Sequence, residues 1–455
     1  MGDAEKREGG PKGTPSVSVS PSVTTGRHAG PVSQFGENLA ALRDFVELIE
    51  PVLSSRQKTV MKERASHLAP LMCALHEMDP DNFPEPLSAD AMSRAYGSDI
   101  RVEVIRDSDE PSPVSLRLHG NDAPFRSAVQ ELTRSGQHMT LLYRNALVSL
   151  VSYVEWFVSR ILHEHYDLHP GALESDRCLS LKELESLGSA EEARRFIIDQ
   201  KVEEILRASF EDWVKHFRSH LGLSMGYLDE DMKALVELFQ RRNLTVHHGG
   251  IINSTYLSRV DGDLARGLSI GQPVPIDRSY VMSAIDLCDL RFSLIGMEHW
   301  KKCDAGDVNR AAMLANVNFE HMIHDRWPLA EGLSYFLSRD SAMPERDRLI
   351  GQVNYWQALK WQGRGRELEE LLECVDFDAK EPVFRFCLMA LRDQLDELMT
   401  SLPTAVARGD LHLDWLEEWP IFRELREHEG CIDFLAAQRE EPSESTGGLT
   451  AGGES

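Results

Sequence analysis

From about His138 to Trp300 the apolar residues recur every three or four positions, the period of an α-helix rather than of a strand. The clearest stripe, between Leu141 and Leu162, is Leu147, Leu150, Val151, Val154, Phe157, Val158 and Ile161. Further helices are expected from Ala190 to Ser209, from Phe210 to His220 and from about Ser279 to Trp300. Between them Asp229 reads as the N-cap of a helix carrying Met232, Leu235, Val236, Leu238 and Phe239. That helix runs to His247 and stops at Gly249-Gly250, because glycine readily takes the left-handed conformation that ends helices. Stripes of this kind bury against one another, so the central third of the chain is expected to be a helical bundle.

The flanks differ. Residues 35–137 read as a small mixed α/β region. Leu39, Leu42, Phe45, Val46, Ile49 and Val52 repeat at helical spacing, as do Val60, Met61, Ala65 and Leu68. Two alternating runs, Arg101 to Arg106 and Val114 to Leu118, suggest a hairpin around an acidic loop, and Asp122 with Pro124 starts another helix. Residues 301–438 are helical again and hold Trp327, Trp356, Trp361, Trp415 and Trp419, with turns at Gly363-Arg364-Gly365 and Ala407-Arg408-Gly409. Stacked α-hairpins, repeat-like but without the tetratricopeptide signature, and an ordinary bundle are both open for this region. Residues 1–34 and 439–455, rich in small and polar residues, read as disordered tails. The expected class is mainly α: a 138–300 bundle, a C-terminal α-hairpin region and the mixed N-terminal region.

The chain has 455 residues, enough for two or three domains. Its seven cysteines are scattered without a CxxC, which argues against a zinc module or disulfide framework and leads to an expectation of no metal and no cofactor. No signal pattern opens the chain, and charges at Arg144, Glu155 and Arg160 interrupt its most apolar stretch, so a cytoplasmic protein off the membrane is expected. The net charge of −25 disfavours extended nonspecific binding to nucleic acid; any RNA contacts should be few and local.

Chemistry concentrates at Arg242-Asn243-Leu244-Thr245-Val246-His247. An Arg followed by a His five positions on is weak alone, and Arg160…His165 and Arg423…His428 also fit. Only the copy at Arg242 has asparagine next, a second histidine (His248), and an amphipathic helix ended by Gly-Gly. The string at residues 238–253, Leu-Phe-Gln-Arg-Arg-Asn-Leu-Thr-Val-His-His-Gly-Gly-Ile-Ile-Asn, resembles the RN-xxx-H signature of the HEPN superfamily, helical RNA-directed toxin and defence domains. The upstream spacing also fits that signature, with a long helix carrying an acidic residue, Val-Glu-Trp-Phe at 154–157, about 85 residues earlier, and the segments at 180–184 and 202–213 resemble the abortive-infection branch of the superfamily. The resemblance covers about residues 140–300.

It implies a metal-independent endoribonuclease whose site is composed at a homodimer interface, two Arg and two His around one cleft. At about 100° per residue Asn243 and His247 share a face while Arg242 is offset to its side. Imidazole can serve as base or acid in RNA cleavage, and a guanidinium matches phosphate oxygens. Arg242, His247 and Asn243 are therefore the candidate catalytic residues, with Arg241 and His248 as solvated or phosphate-positioning neighbours. Glu155 either orients Arg242 or is simply its salt-bridge partner. Basic residues also cap helix ends without any catalytic role. The cluster His163-Glu-His-Tyr-Asp-Leu-His169, at a helix end in a loop-like context, lacks HExxH spacing and is a weak metal candidate. The expected function is a toxin or antiviral effector acting on RNA, with an antitoxin or sensor protein as a further partner. The alternative is a non-catalytic helical module for dimerisation and partner binding.

Overall fold

A computed structural model describes residues 27–78, 81, 101–106, 114–173 and 179–440. The protein is mainly helical, and none of the described helices is long and apolar enough to cross a membrane. The chain divides into two compact units, residues 34–295 and residues 1–33 with 296–455, and the divisions fall inside two helices, Ala29–Glu63 and Arg278–Cys303.

In the first unit α1 (Ala29–Glu63) and α2 (Ala69–Met78) precede a two-stranded antiparallel hairpin, β1 (Arg101–Arg106) with β2 (Val114–His119), in which Arg101 faces His119. The intervening loop expected to be acidic lies outside the described residues. Helix α3 (Ala123–Leu168) follows, then α4 (Leu181–Leu187), α5 (Ala190–Leu206), α6 (Phe210–His216), α7 (Met232–His248), α8 (Ser254–Arg259) and α9 (Arg278–Cys303). A π-turn, Phe217–Leu221, extends α6. Serines start three of these helices: Ser180 with Glu183 forms a capping box, and Ser189 and Ser209 accept from Glu192 and Asp212 amides.

The core of this unit is the stripe of α3 against aromatic rings from its neighbours. Leu147, Leu150, Val151, Val154, Phe157 and Val158 are fully or almost fully buried. Phe157 stacks on Phe35 at 4.5 Å, and Phe210 stacks on Phe239 of α7 at 5.0 Å. Burying side chains of this size contributes on the order of 2–3 kcal/mol each, which fixes α7 against the bundle.

Four expectations change. The boundary between 137 and 138 falls in the middle of α3, because nothing from Ala123 to Leu168 breaks the helix. The N-terminal tail does not extend to residue 34: α1 begins at Ala29, whose side chain is buried. Residues 1–26 and 441–455 lie outside the described residues, although 439 and 440, expected in the C-terminal tail, end a helix that begins at Glu429. The N-cap of α7 is Asp231 rather than Asp229, which instead pairs with Arg218 at 2.7 Å. The cluster His163–His169 is at a helix end as expected, but its loop-like context is instead the last turns of α3 with His169 as the C-cap.

In the second unit helices come in pairs: α10 (Asn309–Ile323) with α11 (Trp327–Arg339), α12 (Glu345–Trp361) with α13 (Gly365–Leu372), and α14 (Pro382–Leu391) with α15 (Leu395–Arg408). The short α16 (Leu413–Glu418) and α17 (Arg423–Arg426) lead into α18 (Glu429–Glu440). The first helices of successive pairs, α10, α12 and α14, pack on one another. The tryptophans hold these layers. Trp327 stacks on Trp361 at 5.9 Å with Arg423 over both rings, and Trp419 donates to Asn354 at 3.0 Å. A fully buried Arg310–Asp340 ion pair, 2.9 Å, is completed by Lys301.

Candidate active site

The residues of the motif sit on the last two turns of α7, which closes with Gly249 and Gly250 both left-handed (φ 61° and 78°). Amides of both glycines reach back to the carbonyl of Leu244. Past the helix the chain is clamped: Ile252 donates to Gln272 and Val274 to Gly250, both at 2.8 Å. The end of α7 is thus held from both sides.

Arg242 projects toward α3. One guanidinium nitrogen donates to Glu155, and the other to the Asn243 side-chain oxygen at 3.0 Å. Both partners of the ion pair are part-buried. The structure therefore brings Arg242, Asn243 and Glu155 together, with Glu155 fixing the guanidinium. The side chains of His247 and His248 are exposed and, among the described residues, make no hydrogen bond. Val246 and Ile251, near them in the chain, are half exposed apolar residues.

Arg241 is a correction. It is not a solvated neighbour of the site but buried, 7% exposed. Its Nε donates to Glu237 at 2.6 Å, its guanidinium lies 3.9 Å from the Tyr280 ring centre, and it also donates to the Pro275 carbonyl. Tyr256 and Tyr280 donate to the two oxygens of Glu237, at 2.5 and 2.8 Å. Burial and the adjacent carboxylate push both phenols well above their ordinary range. Such a satisfied charge cluster braces α7 against the 254–280 segment and leaves nothing for a phosphate.

Arg144, seen in the sequence only as a charge interrupting an apolar stretch, proves to be a neighbour of this helix end. Its Nη2 lies 2.9 Å from where a Cβ on Gly250 would stand. Arg242 meets Glu155 and Gly250 meets Arg144, so α7 runs antiparallel to α3. His247 lies between the two arginines along α7. A signal was available: residues 144 and 155 are eleven apart, about three helical turns, and so share one face of α3.

The two other Arg/His matches have structural roles. His165 is buried whereas Arg160 is exposed, and Arg423 stacks on tryptophans and pairs with Asp325. His163 of the suspected metal cluster bridges the Ser159 carbonyl and Asp199 at 2.7 and 2.9 Å.

No known family model matches the chain, and neither a curated protein nor a solved structure is detectably similar to it.

Proposed function

We propose that the chain is a metal-independent endoribonuclease of HEPN type, acting as a toxin or antiviral effector. The observation that carries this reading is a Glu155-anchored Arg242 followed, five residues further along α7, by an exposed His247. The guanidinium binds the scissile phosphate and offsets charge on the phosphorane. His247 takes the proton of the 2′-hydroxyl or gives one to the leaving 5′-oxygen, a role typically worth about 10²–10⁴-fold. Attack by the 2′-oxygen expels the 5′-oxygen and leaves a 2′,3′-cyclic phosphate. One chain supplies a single Arg242 and a single His247, and two proton transfers are needed. A second copy packed about a two-fold axis at the half-exposed Val246 and Ile251 supplies the other pair. Asn243 holds Arg242, and His248 is the additional phosphate contact. The helical pairs of residues 309–440 are the surface offered to an antitoxin or sensor protein.

Induced expression tests the reading. Wild type should arrest growth and degrade cellular RNA, and His247→Ala should do neither; equal toxicity of the two sinks it.

The net charge of −25 favours a second reading, a non-catalytic module in which the same helix end only dimerises or binds a partner. It requires that purified dimer leave RNA intact and that Arg242→Ala bind its partner as well as wild type.

A further inference from the structure

We infer that His28, His299 and Cys303 form a zinc-binding site. All three belong to the unit of residues 1–33 and 296–455. His299 and Cys303 are four apart at the end of α9 and so face the same way. His28 arrives from the turn just before α1. One ligating atom from each lies within 4.8 Å of the other two.

The spacing suits a tetrahedral ion. With Zn–S near 2.3 Å and Zn–N near 2.0–2.1 Å, tetrahedral angles place sulfur and nitrogen roughly 3.6 Å apart. Cys303 Sγ and His299 Nε2 are 3.5 Å apart. The His28 ring is positioned independently of any ion. It stacks on Trp300 at 5.9 Å and meets the His299 ring edge-on at 6.4 Å. Trp300 is itself buried and held by a 3.0 Å bond from its indole nitrogen to Asp307.

The donor set selects the metal. Two imidazoles and a thiolate suit a borderline-soft divalent ion such as Zn²⁺ and disfavour Mg²⁺ or Ca²⁺, which take oxygen ligands. The site lies at the C-terminal end of α9, where the helix dipole favours positive charge and disfavours a bare thiolate. Zinc takes the thiolate, and the Cys303 proton goes to solvent, so binding weakens as pH falls. Three protein ligands leave the fourth position to water. The ion clasps the turn before α1 to the end of α9, segments from opposite parts of the sequence.

Nothing in the spacing of these residues signals a metal site, since His28 is 271 positions from His299 and belongs to the stretch whose composition reads as a tail. The same 3.5 Å is compatible with a plain Cys–His hydrogen bond, and metal binding by the full chain decides between them. Protein stripped with a chelator is titrated with Zn²⁺ against a chromophoric competitor, and separately with Co²⁺. One Zn²⁺ per chain is expected, with a thiolate-to-cobalt charge-transfer band in the Co²⁺ form. Loss of a supporting group alone costs a metal site about 10–100-fold, so loss of a ligand in Cys303→Ser or His299→Ala should cost at least about 100-fold. His28→Ala removes a ligand outside any helix and serves if His299→Ala, at a buried position, does not fold. Cys374→Ser, at an exposed cysteine, should bind as wild type does. Absence of stoichiometric Zn²⁺, or equal affinity in wild type, Cys303→Ser and His28→Ala, overturns the proposal.

Discussion

Arg242 on α7 and Glu155 on α3 form an ion pair across the two helices that carry the motif and its upstream match. The carboxylate holds the guanidinium in place, which under the proposed function makes Glu155 a positioning residue. Glu155→Gln should cost about 1 kcal/mol or less of stability, because the pair is only part-buried. Under the proposed function, the same substitution should lower RNA cleavage at least tenfold. Thermal unfolding and cleavage rate measured side by side check this; a large loss of stability with unchanged cleavage would contradict it.

The buried neighbour behaves in the opposite way. Glu237→Gln or Arg241→Met leaves the remaining charge desolvated among Tyr256 and Tyr280, and should destabilise by roughly 3–5 kcal/mol. A denaturation midpoint within error of wild type would show that Arg241 is not the brace described.

Gly250 and Gly249 are both left-handed, and only Gly250 lies against Arg144. Alanine at either should cost about 1–2 kcal/mol for the backbone conformation. Gly250→Ala should cost more, since its Cβ displaces the Arg144 guanidinium. Equal stabilities of the two variants would mean that Arg144 moves aside freely.

The end of α3 brings histidines together with the α6 region. His165 packs against His169 at 5.0 Å, and His216 stacks on His220 at 4.3 Å and is bonded to Tyr166. Burial, helped by His169 and His220, pushes His165 down to about 4. Burial, with His220, Lys201 and His165, does the same to His216, against a smaller opposing effect of Glu204. Both are therefore neutral in the fold and protonate more readily when unfolded. Their contribution is complete above about pH 6.5 and is lost as pH falls from there toward 4. Unfolding midpoints across that range should drop less steeply in His165→Gln than in wild type; parallel curves would rule this out.

What could be read from the sequence was local. The end of α7 is encoded by Gly249-Gly250 itself, and the stripe of α3 by the spacing of its own apolar residues, so both are found where expected. The burial of Arg241 depends on Tyr256, Tyr280 and Pro275, which reach it only through the fold, and adjacency to Arg242 suggested the wrong role. Phe45 and Val52 look like core at helical spacing, yet they are exposed while Leu39, Leu42 and Val46 are buried. Periodicity shows that a stripe exists more reliably than it shows where its edges lie. The all-helical pattern is clear only from about His138, but α3 already runs through Gly136 because a single glycine costs a helix only about 1 kcal/mol.

The most direct test of the central claim is cleavage of a defined RNA by purified protein in the presence of EDTA, with the product ends identified. Wild type should yield 2′,3′-cyclic phosphate ends, with the activity lost in both His247→Ala and Arg242→Ala and retained in Arg241→Lys that still folds. Intact RNA with wild type, or cleavage undiminished in His247→Ala, would contradict the account.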